Sequence, residues 1–382
     1  MKKILILSLI MAATVRMAIA QISDYRPGVT TDGAVYFLPK TAIRVAVKVE
    51  KTQYTPGDFC KYARRYLRLD NVNESPATSH RILSCDISSY GEADKDKVFA
   101  VKFNPKSATA NIRLADDGRL TAVNAEPLAE RQFTPYKPSP RQPQANPRDY
   151  MSEEILAAGS TPKMAELTAR EIYDIRDSKN ALNRGEADFM PKDGEQLRIM
   201  LDNLNTQDRL LSSLFCGTTV KDTAEVVFTL CPEKEVEHQV LFRLSKQLGV
   251  VDADDLAGTP YYINIRDLKT VPAEEPVEGK KKKEKEDGIY VNVPSKIAVS
   301  VSQGNEEIAN AEFPAGQFGH VELLSGDLFN KRFTTHLRLN PVTGAVDKLE
   351  AEPPKEQQWA WRRALPASSA SSPSCFPRRD TR

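Results

Sequence analysis

Cysteine is scarce in this chain, with five among 382 residues. Cys60, Cys85, Cys216, Cys231 and Cys375 form no CxxC pair, so structural zinc and thioredoxin-like redox chemistry lack their usual spacing. Cys216 and Cys231 bracket a run that reads as one strand, which would hold them more than about 40 Å apart. A Cys60–Cys85 disulfide stays open. Histidine is rarer still, and the four residues His80, His238, His320 and His336 are far apart in sequence, without the partners that a metal site or a catalytic triad requires. The GxSxG, HExxH and Walker-type glycine patterns are missing too. These absences leave the common hydrolase, metalloprotease and nucleotide-binding motifs unrepresented, and no cofactor is expected. Convergent active sites are set by geometry and leave no such trace.

Long apolar runs are also lacking beyond the start of the chain. There, Lys2 and Lys3 precede the apolar stretch from Ile4 to Val15, and Ala18-Ile19-Ala20 stands before Gln21. Positive residues, a short apolar core and a small-x-small site are the order of a cleavable signal peptide. The apolar stretch falls short of the roughly 18 residues that span a bilayer, and no cysteine near the cleavage site offers a lipid attachment point. The expected product is exported to the periplasm or beyond, with neither a membrane span nor a lipid anchor.

An excess of one charge is missing as well. The formal net charge is +1. Three cations in the leader, and five arginines against two acids in residues 356–382, conceal an acidic body of 45 basic and 50 acidic residues, a net of −5. Nucleic acid is therefore not an expected partner.

What is present is strand and helix periodicity in blocks. Ile43, Val45, Val47 and Val49 alternate with polar or small residues, the period of a half-buried strand. Thr55-Pro56-Gly57-Asp58 precedes apolar residues at helical spacing, Phe59, Tyr62, Ala63, Tyr66 and Leu67. Phe99, Val101 and Phe103 alternate, and Asp116-Asp117-Gly118 marks a hairpin turn. Five prolines between Phe133 and Pro147 rule out a continuous ladder or helix, leaving a linker or a strap laid over the surface. Met164, Leu167, Ile172, Ile175 and Leu182 suit one helix, and Leu197, Leu201, Leu204, Leu211 and Phe215 a second that ends at Gly217. Strand patterns return at Val226, Phe228 and Leu230, at Val240, Phe242 and Leu244, and at Tyr261, Ile263 and Ile265. Residues 272–287, with Lys280 to Lys283 among glutamates, are too charged to pack. Asp252, Asp254 and Asp255 are the calcium candidates, but the loop lacks the later bidentate Glu of an EF-hand and reads as an acidic turn.

The two ends of the body resemble each other. Leu114, Gly118, Leu120, Val123, Ala125, Glu126 and Pro127 match Leu339, Gly344, Val346, Leu349, Ala351, Glu352 and Pro353, with one residue inserted before the glycine. Tyr36, Pro39, Ile43, Val45 and Val47 fall beside Tyr290, Pro294, Ile297, Val299 and Val301. The expected class is α+β, with two related β-rich regions flanking a helical hairpin and additional strands. Its segments are a signal peptide (1–20), an N-terminal β-rich domain (21–131), a proline-rich linker (132–150), the helical hairpin with strands (151–271), a charged disordered loop (272–287), a C-terminal β-rich region that repeats the first (288–355) and an atypical disordered tail (356–382). The tail holds both tryptophans, Trp359 and Trp361. Its abrupt shift to Arg, Ser, Pro and Ala fits a frameshifted end.

The chain also resembles an exported Bacteroidetes family, domain of unknown function 4831. The resemblance rests on Tyr54-Thr55-Pro56-Gly57 through Tyr66-Leu67, on Ala169 to Arg176 with Gly185-Glu186-Ala187-Asp188, on Val240 to Ser245, and on Gly249 to Gly258. It implies an extracytoplasmic location and brings no activity to any residue. The function expected is a non-enzymatic binding or structural module of the cell envelope, with an envelope protein or glycan as partner; the alternative is a hydrolase of envelope polymers. On this reading, N-terminal sequencing of protein secreted from its native host finds Gln21, or a residue next to it, at the mature N-terminus.

Overall fold

The computed structural model describes residues 28–29, 33–102, 111–140, 145–191, 193–272, 288–329 and 334–352. The expected signal peptide at 1–20, the lysine run at 280–283, Cys375 and the tail with Trp359 and Trp361 lie outside the described residues.

The alternation at Ile43 to Val49 belongs to a strand much longer than that motif. β1 (Gly28–Val29) and β2 (Gly33–Thr55) open the fold, and β2 pairs along nearly its whole length with β3 (Ala77–Lys102). Pro39, which has no N–H to give a ladder, sits where the register of β2 slips between Phe37 and Pro39. α1 (Ala63–Leu67) lies between β2 and β3, and β4 (Ile112–Leu114) and β5 (Leu120–Val123) follow as a tight hairpin. The helices α2 (Glu153–Leu156), α3 (Thr161–Arg184) and α4 (Gly194–Cys216) come next. After them run β6 (Thr218–Leu230), β7 (Val236–Ser245), β8 (Gly249–Val251), β9 (Thr259–Asp267), β10 (Gly288–Gln303), β11 (Glu306–Ser325), β12 (Thr334–Leu339) and β13 (Val346–Glu352).

These strands make three antiparallel sheets. In the first, β2 is central, with β3 on one edge and β1 and β6 on the other. The second runs β11-β10-β9-β7-β8, and the third runs β13-β12-β5-β4. The first two pack face to face, so Ile43, Val45 and Val47 of β2 meet Ile297, Val299 and Val301 of β10, with Phe242 and Ile263 behind them. The other half of β2 turns Ala34, Tyr36 and Leu38 into a second core, shared with Leu120 and Val123 of β5, Ile289 and Val291 of β10, and Leu337 and Leu339 of β12. The helices close a third core around Phe59, Ile155, Ile172, Leu211 and Phe215. Within it α3 and α4 are tied by Arg176 and Lys179, each 3.1 Å from Asp208. Although partial burial opposes its charge, these two cations hold the Asp208 carboxyl below the ordinary range.

This architecture overturns the expected α+β class with a helical hairpin between two β-rich regions. Of the described residues, 49% are in strands and 23% in helices, and the sheets are antiparallel. The helical stripes occur where the periodicity put them, but they cover a minor share of the chain and pack at one end of β2. The flanking arrangement also fails, because the end regions share one core and one sheet: β5 pairs directly with β12 through Val123–Leu337 and Ala122–Arg338.

The two ends repeat one local geometry. At the first turn the Gly118 N–H (φ 85°) donates to Ala115 O at 2.9 Å, and Ala115 N–H to Arg119 O at 2.9 Å. At the last turn the Gly344 N–H (φ 73°) donates to Asn340 O at 2.8 Å, and Asn340 N–H to Ala345 O at 2.9 Å. Only glycine takes such a φ without steric cost. Each glycine carbonyl then accepts from a long strand: Gly118 O from Phe37 N–H of β2 (3.0 Å), and Gly344 O from Asn292 N–H of β10 (3.2 Å).

Between these turns lies a buried polar seam. The Arg119 side chain is 7% exposed; it meets Asp117 at 2.5 Å and Glu130 at 3.2 Å, and donates to Pro341 O of the opposite turn at 2.5 Å. Burial works against its charge, yet Glu130 and Asp117 hold the guanidinium above its ordinary pKa. A Cβ on Gly91 would overlap both the Arg119 guanidinium and the Pro341 carbonyl, so β3 must pass this point without a side chain. Asn292 donates through Nδ2 to Pro39 O and to Thr343 O, 2.8 Å each. The Tyr36 hydroxyl accepts from Tyr290 N–H at 2.8 Å, and its burial pushes its pKa well up. Removing one partner of a buried ion pair leaves charge uncompensated and costs about 3–5 kcal/mol. Since Asp117 and Glu130 keep contact with water, Arg119→Met is expected near the lower bound, about 3 kcal/mol in urea unfolding. Arg198→Ala, which removes the exposed Arg198–Glu195 pair, leaves the midpoint in place.

Candidate functional site

Far along β2 from that seam, the chain leaves the sheet and returns to it at one place. Thr55 ends β2 and Thr218 begins β6, and the two are paired. Between them the chain builds the helical core, which docks back on the exit point by a backbone contact: Phe59 N–H donates to Leu214 O at 2.7 Å. Gly57 makes this approach possible, since a Cβ there would overlap the Leu214 carbonyl. Gly217 turns α4 into β6 at φ 76°, with a Cβ position 2.5 Å from Thr55 O. Pro56-Gly57 and Cys216-Gly217 are therefore the paired hinges that seat α4 beside the end of the sheet.

The approach leaves an open cleft of about 740 Å³, within the roughly 300–1,000 Å³ of small-ligand sites. One wall is the end of β2 and the start of β6 with Thr218 and Thr219; another is the last turns of α4 with Arg209, Ser213 and Cys216; the third is the short 3₁₀ turn Pro147–Tyr150. The Asn146 side chain caps that turn by accepting from Arg148 N–H at 3.1 Å. Arg148 reaches across to Asp58 at 2.9 Å, an exposed pair whose stabilising value is at most modest. Arg209 has no partner among the described residues. The Tyr54 hydroxyl donates to Asn73 O at 2.7 Å, with the Cys216 carbonyl at 3.1 Å. Burial raises the pKa of the Cys216 thiol, which disfavours the nucleophilic thiolate at neutral pH. Chemically the cleft offers guanidinium, amide and hydroxyl donors over a small apolar floor at Leu210 and Leu214. Such donors are chemically suited to polar or acidic groups.

Sequence reasoning did not reach this site, because its residues come from three separated stretches and much of its shape comes from backbone at Gly57 and Gly217. The one local signal there, Thr55-Pro56-Gly57-Asp58 ahead of apolar residues at helical spacing, points to the helix that follows and not to a cleft. Asp252, Asp254 and Asp255 lie in a different loop, between β8 and β9. There Asp255 N–H donates to Asp252 O at 3.1 Å, the Asp255 carboxylate accepts from Ala257 N–H at 2.9 Å, and Arg243 donates to Ala253 O at 2.8 Å. Among the described residues no group of three His, Cys, Asp or Glu side chains is placed to hold a metal. The histidines stay apart: His80 contacts Lys246 O, His238 stacks on Tyr262 at 3.8 Å, His336 contacts Asn124 O, and His320 lines a smaller cavity of about 360 Å³ with Asp267 and Lys269. Cys60, Cys85, Cys216 and Cys231 are free thiols. Residues 133–136 of the proline-rich segment lie on the outer face of the first sheet, where Arg44 is held between the rings of Tyr90 (4.3 Å) and Phe133 (4.4 Å), and Tyr136 N–H donates to Glu225 at 2.8 Å. No helix of the described residues is long and apolar enough to cross a membrane.

Among known proteins, neither a curated protein nor a solved structure matches the chain. A family model described as Domain of unknown function (DUF4831) matches residues 32–347, a span that takes in the cleft, all three cores and the buried seam. The chain therefore belongs to the DUF4831 family.

Proposed function

We propose that this protein is an exported cell-envelope component of the Bacteroidetes type its sequence resembles, and that it works as a non-enzymatic binding module. Its ligand, a glycan or a polar segment of another envelope protein, sits in the cleft between β2, β6 and α4. The observation that carries this reading is the cleft itself, with an unpartnered Arg209 beside the Arg148–Asp58 pair and the hydroxyls of Ser213, Thr218 and Thr219. A guanidinium facing an open cavity forms charge-assisted hydrogen bonds to a carboxylate or sulfate and ordinary ones to hydroxyls. The leader-like start of the chain supports the location. The hydrolase alternative calls for two facing carboxylates; among the described residues lining the cleft, Asp58 is the one carboxylate, and Arg148 engages it.

A panel of acidic and neutral envelope oligosaccharides, titrated calorimetrically against the protein, tests the proposal together with a pull-down from envelope fractions. The expected result is preference for an acidic ligand, with Arg209→Ala weakening binding about tenfold, the value of one charge-assisted hydrogen bond. Binding that ignores Arg209→Ala, or neither a glycan nor a protein captured, contradicts it.

A further inference from the structure

The third sheet ends on a strand that lacks the neighbour its counterpart has. In the sequence correspondence between the two ends, Leu120 and Val123 of β5 align with Val346 and Leu349 of β13. β5 is paired on both edges, with β4 on one side and β12 on the other, and all four of its residues are buried. β13 is paired only with β12 among the described residues, and all seven of its residues are exposed. The edge that β12 occupies on β5 has no partner on β13 among the described residues.

The side chains carry the same asymmetry. Leu349 lies opposite Leu337, and Val346 opposite Leu339. Directly opposed residues in a sheet share a face, so both belong to the face that buries Leu337 and Leu339 completely. Yet Leu349 is 42% and Val346 38% exposed. The core face of the sheet thus runs on past the core with its apolar side chains exposed, beside a row of backbone donors and acceptors that has no partner strand among the described residues and can template a further one.

We infer that β13 pairs with β13 of a second copy, antiparallel and about a two-fold axis at Leu349. The charge pattern selects that occupant and that register. With Leu349 opposite its own copy, each Lys348 faces Glu350 of the second copy, which makes two cross-strand ion pairs, and Asp347 faces Ala351. Centring on Lys348 or on Glu350 instead sets like charges directly opposite, and a one-residue slip turns the apolar face of one copy toward the charged face of the other. Edge strands are commonly protected by charge of one sign; this one carries alternate signs that complement themselves under two-fold symmetry. Lys348 and Glu350 are 53% and 52% exposed and pair within the strand at 2.7 Å, so both are free to exchange partners. The inference is independent of the cleft, which lies at the other end of β2.

Sedimentation velocity on the full chain over a range of concentrations tests it. A concentration-dependent dimer is expected, Lys348→Glu should shift the protein to monomer at the same concentration by setting glutamates opposite one another, and Lys348→Glu with Glu350→Lys should restore the dimer. Far-UV circular dichroism of each variant shows that the fold is retained. A second measurement locates the contact: in a background with all five cysteines replaced by serine, Leu349→Cys should form a disulfide-linked dimer on oxidation, while Lys348→Cys, set opposite Glu350 of the second copy, should not. A monomer at every concentration, a dimer indifferent to Lys348→Glu, or equal cross-linking of the two cysteine variants overturns the inference.

Discussion

The fold depends on a guanidinium almost wholly withdrawn from water. Arg119 joins the turn after β4, the chain entering the proline-rich segment and the turn after β12, through Asp117, Glu130 and Pro341 O. Charge buried this way is tolerated only when every donor is engaged, and the neighbouring chain is shaped to that need: Gly91 carries no side chain because one would occupy the space of the guanidinium. Around it, Tyr36 with Tyr290 and Asn292 with Pro39 and Thr343 extend the seam. Three of these bonds, Arg119 to Pro341 O, Tyr290 N–H to Tyr36 and Asn292 to Pro39 O, join residues more than two hundred positions apart in the chain, and they fix how the first strands meet the last ones. The packing of β5 against β12, and so the whole third sheet, follows from that meeting.

β2 then serves as the axis on which everything is mounted. At about 3.3 Å per residue, its 23 residues extend roughly 75 Å. One end contributes Tyr36 and Leu38 to the core beneath the third sheet, the middle packs Ile43 to Val49 against β10, and the far end delivers Thr55 to the cleft. The cleft thus lies at one end of β2, and the third sheet, which β13 edges, packs over the other.

Elements with strong local periodicity were legible in the sequence. Ile43 to Val49, the stripe ending at Leu211 and Phe215, and the Asp116-Asp117-Gly118 turn all mark what the structure forms there, because each is a local solution to burying one face. Two kinds of feature were not legible. The first part of β3 lies against β2 but leaves its outer side half exposed, so residues such as Thr78, Ser79, His80 and Arg81 carry no apolar alternation. Contacts across the chain were also hidden: resemblance between the ends was visible, but nothing local indicated that Val123 would pair with Leu337, and this is why two separate β-rich regions were expected in place of one shared sheet. The cleft escaped for a related reason, since Gly57 and Gly217 shape it by what they omit.

The central claim is that the two ends of the chain interlock into one cooperative core about Arg119. Native-state hydrogen exchange followed by mass spectrometry tests it most directly. Amides of β2, β5, β10 and β12 should exchange with a common opening free energy equal to that of global unfolding. Exchange of β10 and β12 through an opening that leaves β2 and β5 protected would contradict the account.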